Sequence, residues 1–257
     1  MENKPCGFVW HELATSDTKA ATDFYGHVLG WTAVDSGMGG PGYTFVRAGD
    51  RNVGGTYTLP EELVKSGARP SWTGYLGVAD AKQTLARVQE LGGRVVHDLQ
   101  TIPGVGVIGH LADPYGAVFA IIQPEPIEGP PPVALNTPGH VGWNELHAGD
   151  GVKAFAFYSE LFGWTKADAM DMGPMGVYQL FAAGAEPIGG VMTKMPDMPA
   201  AMWLFYFNVD SATAAIERVK AHGGQLLMGP HEVPGSMWIA NFFDPQGAMF
   251  SVVSKDK

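Results

Sequence analysis

The chain has 257 residues, 46% of them hydrophobic and 16% charged, and its formal net charge is −10. The apolar content is sufficient for a core and argues against disorder, while the acidic balance argues against nucleic acid or an anionic membrane as a partner. Because Cys6 is the single cysteine, no intrachain disulfide and no cysteine-based zinc cage can form.

The predicted elements follow one order along the chain. A strand over 8–15 precedes a helix that we expect Asp17 to cap and Gly30 to end, with apolar residues at helical spacing between them. Strands over 72–78, 140–148 and 202–209 are each followed by the same kind of helix, bounded in turn by Asp80 and Gly92, Asp150 and Gly163, and Asp210 and Gly223. Two or three short strands broken by glycine and proline follow each helix. A unit of strand, helix and strands therefore occurs four times.

The two halves of the chain also repeat in sequence. WHEL at 10–13 returns as WNEL at 143–146, and ten of the 23 positions from 10 to 32 are identical in the second half. Gly54-Gly55 corresponds to Gly189-Gly190, and DPYG at 113–116 corresponds to DPQG at 244–247. Between the halves, residues 124–138 carry six prolines, which favour an extended connection. We predict a first domain over 1–123, a linker over 124–138 and a second domain over 139–257.

These motifs resemble the vicinal oxygen chelate superfamily of glyoxalases, bleomycin resistance proteins and extradiol dioxygenases. The resemblance is carried by FYGHVLGW at 24–31, FYSELFGW at 157–164 and the Asp-Pro-x-Gly sequence before the last strand of each half. It covers nearly the whole chain outside the linker, and WxEL followed by Asp and Phe-Tyr is most similar to a tandem, two-domain subgroup labelled glyoxalase-like or hydroxylase. The resemblance implies an α+β fold of four βαβββ modules, with a cleft formed by a curved mixed sheet in each of two domains.

The metal ligands that the resemblance would imply are not found at the corresponding positions. The first-strand histidine slot holds Trp10 and Trp143, and the glutamate slot after Asp-Pro-x-Gly holds Ala120 and Ser251. The remaining slots fall at the following residues: Thr73, Leu204, Gly55, Thr56, Gly190 and Val191. Since divalent ions need several converging O or N donors, we expect neither the usual metal site of the family nor another cofactor.

Strand alternation selects the candidate catalytic residues. If Leu13 and Leu146 face the helices, then Glu12 and Glu145 face the clefts. An unpaired carboxylate on an apolar strand is costly, so each Glu needs a ligand, water or a protein partner. Glu145 with His147 is the best acid–base pair, and Glu12 is its first-half counterpart. A structural role for both glutamates, and a satisfied or exposed surface role for His147, remain open.

The candidate ligand-binding residues are mostly aromatic. They are Trp10, Trp143, Tyr75, Tyr206 and Ser251, and core packing is the alternative interpretation of the tyrosines. Seven methionines between 170 and 202 favour an adaptable apolar pocket, with core or interface packing as the alternative.

Together these features predict a cytoplasmic protein, monomeric or homodimeric, that binds a small, largely apolar organic molecule without the metal of the family. The first residues lack the apolar stretch of a signal peptide, and no run approaches the roughly 18 apolar residues of a membrane span. One alternative is a lyase, isomerase or oxygenase that uses Glu12, Glu145 and His147 or an atypical metal site. The other is a non-catalytic sequestering or structural protein.

Overall fold

The computed structural model describes residues 6–37, 42–125 and 133–257. The first half consists of β1 (Phe8–Thr15), α1 (Thr18–Leu29), β2 (Thr32–Asp35), β3 (Thr44–Ala48), β4 (Arg51–Thr58), a short α2 (Glu61–Lys65), β5 (Ser71–Gly77), α3 (Ala81–Glu90), β6 (Arg94–Ile102), β7 (Gly106–Ala112) and β8 (Val118–Pro124). The second half consists of β9 (Val141–Ala148), α4 (Gly151–Phe162), β10 (Thr165–Asp171), a short 3-10 helix (Gly173–Met175), β11 (Val177–Ala182), β12 (Pro187–Thr193), β13 (Met202–Asn208), α5 (Ala212–Ala221), β14 (Gln225–Val233), β15 (Met237–Phe243) and β16 (Met249–Ser254).

Each half builds one eight-stranded mixed sheet. The strand order is β2-β3-β4-β1-β5-β8-β7-β6 in the first half and β10-β11-β12-β9-β13-β16-β15-β14 in the second. In every module the first strand pairs in parallel with the last, as in β1–β4 and β9–β12, and the remaining neighbours within the module are antiparallel. The predicted α+β class with four βαβββ modules is confirmed. Within the described ranges, no helix is both long enough and apolar enough to cross a membrane.

The helix ends follow the predicted capping pattern with one exception. The carboxylates of Asp17, Asp80 and Asp150 accept backbone N–H groups in the first turns of α1, α3 and α4. The prediction that Asp210 caps α5 was wrong, because the hydroxyl of Ser211 occupies that position. Asp210 instead pairs with Arg218 at 2.7 Å. A serine one residue closer to the helix thus performs the capping, which either side chain could provide.

By contacts, the chain divides into two compact units that each draw on both halves. We call residues 11–37, 42–72, 133–143 and 204–257 the outer unit, and residues 6–10, 73–125 and 144–203 the inner unit, after the order of their modules in the sequence, first and fourth against second and third. The predicted boundaries at 123/124 and 138/139 stay predictions. Residues 126–132 of the proline-rich segment lie outside the described residues.

A buried tyrosine holds the outer unit together. The Tyr25 hydroxyl, on α1, donates to Asp244 Oδ2 at 3.0 Å and accepts from Trp72 Nε1 at 2.9 Å. Burial raises the pKa of the Asp244 carboxyl and, well above its usual value, that of the Tyr25 phenol. The repeated Phe-Tyr motif of the first module therefore meets the Asp-Pro-x-Gly turn of the fourth.

The inner unit contains the corresponding arrangement. The Tyr158 hydroxyl lies 3.5 Å from Asp113 Oδ2 and accepts from Trp203 Nε1 at 3.1 Å. Here the Phe-Tyr motif of the third module meets the Asp-Pro-x-Gly turn of the second. The same pairing of the two motifs thus occurs in both units.

Candidate functional site

The central strand of the second half, β9, presents two neighbouring polar side chains. Leu146 and Ala148 are fully buried, whereas Glu145 and His147 at the alternating positions keep 13% and 12% of their side-chain surface exposed. On the adjacent strand β12, Gly190 lies opposite Glu145 and Met192 opposite His147. Alternation along β9 therefore places a carboxylate and an imidazole on one face, as the sequence predicts.

The structure joins Glu145, His147 and Tyr178 into one cluster. The Tyr178 hydroxyl, on β11, donates to Glu145 Oε2 at 2.7 Å. His147 Nε2 lies 2.9 Å from Glu145 Oε1. That separation suits an ion pair or a hydrogen bond, although the ring is not aligned for a hydrogen bond. The carboxylate and the imidazole are therefore neighbours within contact distance, without a hydrogen bond between them.

Both ring nitrogens of His147 are buried, and neither has a hydrogen-bonding partner among the residues that the structure describes. Buried polar atoms are rarely left without a partner, and such exceptions are typical of sites that take water, an ion or a ligand. This feature distinguishes His147 from a histidine that is satisfied within the core.

Gly190 lets Tyr178 reach the carboxylate. A Cβ at position 190 would overlap the ring and hydroxyl of Tyr178, which lie directly over the glycine. Gly55 has the same relation to Tyr43 in the first half, where a Cβ would overlap the tyrosine hydroxyl. Sequence reasoning noticed both glycines but missed both tyrosines, although Tyr43 and Tyr178 are separated by the same interval as Gly55 and Gly190.

The first half surrounds its glutamate differently. Glu12 is buried on β1, opposite Gly55 of β4, and Ala14 pairs with Tyr57 at the next position of the same face. Burial and the negative charge of Glu12 raise the pKa of Tyr57 to about 12. The neighbour of Glu12 is thus a phenol that stays protonated at neutral pH.

Trp143 and Tyr206 lie in an apolar cluster of the outer unit. Leu204, Tyr206 and Val253 are buried there, and Trp143 packs against them together with three partly buried residues, Met237, Ile239 and Met249. Ser251 pairs with Tyr206 in the strand register, and its buried hydroxyl donates to Asn241 Oδ1 at 2.9 Å. The structure therefore brings three of the predicted ligand-binding residues to neighbouring positions.

Tyr75 belongs to a different cluster, in the inner unit. Its hydroxyl lies 3.2 Å from His110 Nε2, and the His110 ring makes an edge contact with His97 at 5.5 Å. Burial, with a smaller contribution from His97, lowers the pKa of His110 to about 4. Trp10 is partly buried on β1, so its ligand-binding role stays a prediction.

The methionines of the second half are spread over several environments. Met192 is buried opposite His147, whereas Met172 and Met175 are exposed beside the short 3-10 helix. The structure therefore supports an apolar neighbour for His147 and no single methionine cluster.

The side chains at the metal positions of the family do not suit a metal. Trp143 and Leu204 pack in the apolar cluster, Ala120 is fully buried, and the Ser251 hydroxyl is bonded to Asn241. No group of three or more His, Cys, Asp or Glu residues that could hold a metal ion occurs within the described parts of the chain. Indole and alkyl groups supply no donor for a divalent ion, so these side chains do not fit the metal of the family, and the expected absence of that metal stays a prediction.

Comparison with known proteins agrees with the repeat. The family model described as Glyoxalase/Bleomycin resistance protein/Dioxygenase superfamily matches residues 7–121 and again 137–252. A Mycobacterium tuberculosis protein called "Putative glyoxylase CFP32" is 32% identical over 95% of this chain and 93% of its own length. "Anthracycline biosynthesis protein DnrV" of Streptomyces peucetius is also 32% identical, over 95% of this chain and 91% of its own length.

Solved structures share the fold at lower identity. The Mn(II)-bound glyoxalase from Novosphingobium aromaticivorans aligns with a TM-score of 0.66 at 14% identity, covering 99% of this chain and 83% of that one. The 2,2',3-trihydroxybiphenyl 1,2-dioxygenase from Sphingomonas wittichii strain RW1 aligns with a TM-score of 0.67 at 14% identity, covering 98% and 91%. With both repeats matched by the family model and the fold shared, the chain belongs to the glyoxalase/bleomycin resistance protein/dioxygenase superfamily.

Proposed function

We propose that this protein binds a small, largely apolar organic molecule in its second half, with Glu145 and His147 as the polar anchor. The observation that carries the proposal is the cluster of Glu145, His147 and Tyr178, in which the buried ring nitrogens of His147 lack partners among the described residues. A ligand that hydrogen-bonds to this cluster would satisfy those nitrogens.

The apolar surroundings of Glu145 and His147 support the proposal that the ligand is largely apolar. Met192 lies opposite His147 on the neighbouring strand, and Gly190 provides no side chain opposite Glu145. A few polar groups within an apolar surrounding are the usual composition of a small-molecule site. The names of two relatives associate similar chains with anthracycline biosynthesis, which is compatible with a bulky, mostly apolar ligand.

The proposal requires no metal at the family positions, and elemental analysis tests that part. The purified protein is incubated with Zn²⁺, Ni²⁺, Fe²⁺ or Mn²⁺. Substitution of Trp143, Ala120 or Ser251 should not change the amount of ion bound. A stoichiometric ion that is lost on substitution of these residues would contradict it.

Glu145→Gln tests the anchor, with 2-naphthol as the probe in isothermal titration calorimetry. The substitution keeps the shape of the side chain but removes its charge. Since a hydrogen bond to a charged group contributes roughly 1.5–3 kcal/mol, we expect binding to weaken by about tenfold or more. The matched control is Glu12→Gln in the first half, which should leave the affinity within about twofold.

The structural alternative makes the opposite prediction. If the melting temperature of Glu145→Gln falls by several degrees while 2-naphthol binds as before, the carboxylate serves stability and the proposed anchor is wrong. If the native protein does not bind 2-naphthol or other apolar aromatic probes at all, the binding proposal itself fails.

The distance between His147 and Glu145 favours a second candidate function, proton transfer of the kind that lyases and isomerases use. The imidazole would accept a proton from an acidic C–H group, and the adjacent carboxylate would stabilise the resulting imidazolium. The hydrogen bond from Tyr178 holds the carboxylate in place. The relatives called glyoxylase are compatible with such a role.

Exchange of carbon-bound hydrogen tests this second candidate. Dihydroxyacetone in D₂O should exchange its C–H protons faster with the native protein, as followed by NMR. General acid–base catalysis contributes typically 10²–10⁴-fold, so His147→Gln should lose about that factor. Equal exchange rates for the native protein and His147→Gln would mean that the site binds a ligand but does not catalyse proton transfer.

A further inference from the structure

The two ring nitrogens of His147 differ in their relation to the neighbouring carboxylate. Nε2 is the nitrogen in contact with Glu145, 2.9 Å from its Oε1. Both nitrogens are buried, and neither has a hydrogen-bonding partner within residues 6–37, 42–125 and 133–257. Since the bonding directions of the two nitrogens diverge in the plane of the ring, one carboxylate oxygen cannot serve both. Each nitrogen therefore needs its own partner.

The contact with Glu145 determines where the neutral ring carries its hydrogen. A neutral imidazole has one N–H group, and its other nitrogen carries a lone pair. An ionised carboxylate only accepts hydrogen bonds, so it attracts an N–H group and repels a lone pair. Because Nε2 is the nitrogen that contacts Glu145, we expect the hydrogen on Nε2, even without the alignment of a full hydrogen bond. The lone pair is then on Nδ1, which requires a donor.

Of the described side chains around His147, none offers a hydrogen to Nδ1. The Tyr178 hydroxyl has a single hydrogen and donates it to Glu145 Oε2. On the neighbouring strand, Met192 lies opposite His147 and Gly190 lies opposite Glu145. A thioether accepts weakly and donates nothing, and a glycine has no side chain. The donor for Nδ1 therefore has to come from a bound molecule.

We propose that the ligand of this site carries a hydroxyl group and donates its hydrogen to Nδ1 of His147. The inference rests on the proposed function and narrows its ligand class from apolar molecules to apolar alcohols, phenols or enols. A ligand whose oxygen atoms only accept would leave Nδ1 buried and unpaired, which is costly. For the same reason, sites built to hydrogen-bond a hydroxyl group discriminate strongly against analogues that lack it.

Isothermal titration calorimetry with two naphthalenes at pH 7.5 tests the need for a hydroxyl hydrogen. 2-Naphthol and 2-methoxynaphthalene share the ring system, but the ether oxygen has no hydrogen to donate. The native protein should bind 2-naphthol about tenfold or more tightly than the ether. His147→Phe, which keeps a planar ring without nitrogens, should bind the two probes within about twofold of each other. Glu12→Gln is the matched control and should keep the native ratio.

Nitrogen-15 NMR of the native protein provides a second measurement that does not depend on the folding of a variant. The His147 ring should carry its hydrogen on Nε2 in the free protein. Addition of 2-naphthol should shift the Nδ1 resonance, whereas 2-methoxynaphthalene should not. A hydrogen on Nδ1, in place of Nε2 or in addition to it, would overturn the inference.

The two probes also separate this inference from the proposed function. If the native protein binds both equally and Glu145→Gln weakens both, the site takes apolar molecules as proposed, but Nδ1 is satisfied by water and the hydroxyl requirement is wrong. If neither probe binds, the proposed function fails and the inference fails with it.

Discussion

The two halves of the chain build the same frame around a glutamate but give it different neighbours. In each half the glutamate on the central strand faces a glycine, and a tyrosine lies over that glycine. In the second half the next position on the glutamate strand is His147, whereas in the first half it is Ala14, and Tyr57 projects from the adjacent strand. The two halves therefore share this frame and differ in the side chains beside the glutamate.

Under the proposed function, this difference would place the acid–base pair in the second half. Tyr57, with a pKa of about 12, stays a hydrogen-bond donor throughout the neutral range and cannot accept a proton there. An imidazole can do both. A second contrast points the other way, because the first half has His110 beside Tyr75, whereas the corresponding residue of the second half is Asn241, which is bonded to Ser251. Substitutions that exchange corresponding residues between the halves test these contrasts.

The largest expected effect is the loss of folding stability that His110 causes as the pH falls. Its pKa in the folded protein is about 4, compared with about 6.5 for an unperturbed histidine. The folded state therefore binds fewer protons than the unfolded state between these values, and the stability that is fully present above about pH 6.5 is lost as the pH falls towards 4. The free energy of unfolding should decrease by about 3 kcal/mol over this window from this group alone.

His110→Asn, which introduces the second-half residue, isolates that contribution. Urea unfolding of both proteins between pH 7.5 and 4 should show the native protein losing more stability than the variant. Parallel curves would show that His110 is not held in its neutral form by the fold.

The next largest effect is the stability loss expected when Gly55 or Gly190, the glycines beneath Tyr43 and Tyr178, is replaced by alanine. Gly55→Ala and Gly190→Ala each place a Cβ against a tyrosine ring or hydroxyl, and overpacking of this kind costs typically 1–3 kcal/mol. Gly7→Ala is the matched control, since its Cβ would meet only ordinary contacts at 3.7 Å or more. Urea unfolding should give similar losses for the first two variants and almost none for the third. Gly190→Ala, and not Gly55→Ala, should also weaken 2-naphthol binding, because Tyr178 donates to the anchoring carboxylate of Glu145.

The smallest expected effect is the difference in stability loss between Tyr25→Phe and Tyr158→Phe, which replace the buried tyrosines of α1 and α4. Tyr25→Phe and Tyr158→Phe both leave a buried carboxylate oxygen and an indole N–H without their hydroxyl partner, at a cost of about 1–3 kcal/mol. The hydroxyl lies 3.0 Å from Asp244 in one case and 3.5 Å from Asp113 in the other. Thermal unfolding should therefore show a larger loss for Tyr25→Phe. A larger loss for Tyr158→Phe would reverse the ranking that these distances imply.

Most of the fold could be predicted from the sequence because it is repeated and strongly patterned. The predicted strand over 8–15 coincides with β1, and that over 202–209 differs from β13 by one residue. Capping of α5 was assigned to the wrong residue because Asp210 and Ser211 can both accept a backbone N–H, and only tertiary contacts decide between them.

The candidate site was predicted in part. Alternation on one strand sufficed to pair Glu145 with His147, since both lie on β9. Tyr178 can reach Glu145 because the residue on the intervening strand β12 is a glycine, Gly190. The lowered pKa of His110 depends on burial by other strands. Such relations arise from pairing between strands that are distant in sequence, and local periodicity does not contain them.

The pairing of the Phe-Tyr motifs with the Asp-Pro-x-Gly turns has a consequence for how the protein is made. Tyr158 and Asp113 are separated by 45 positions in the sequence, and Tyr25 and Asp244 by 219. As the chain leaves the ribosome, the second and third modules can therefore dock while synthesis continues. The contacts of α1 with the fourth module form only when almost the last residue has been added, so part of the apolar face of this helix stays uncovered until then. A nascent chain that stalls late would thus expose its N-terminal quarter to chaperones and proteases, although that quarter was made first.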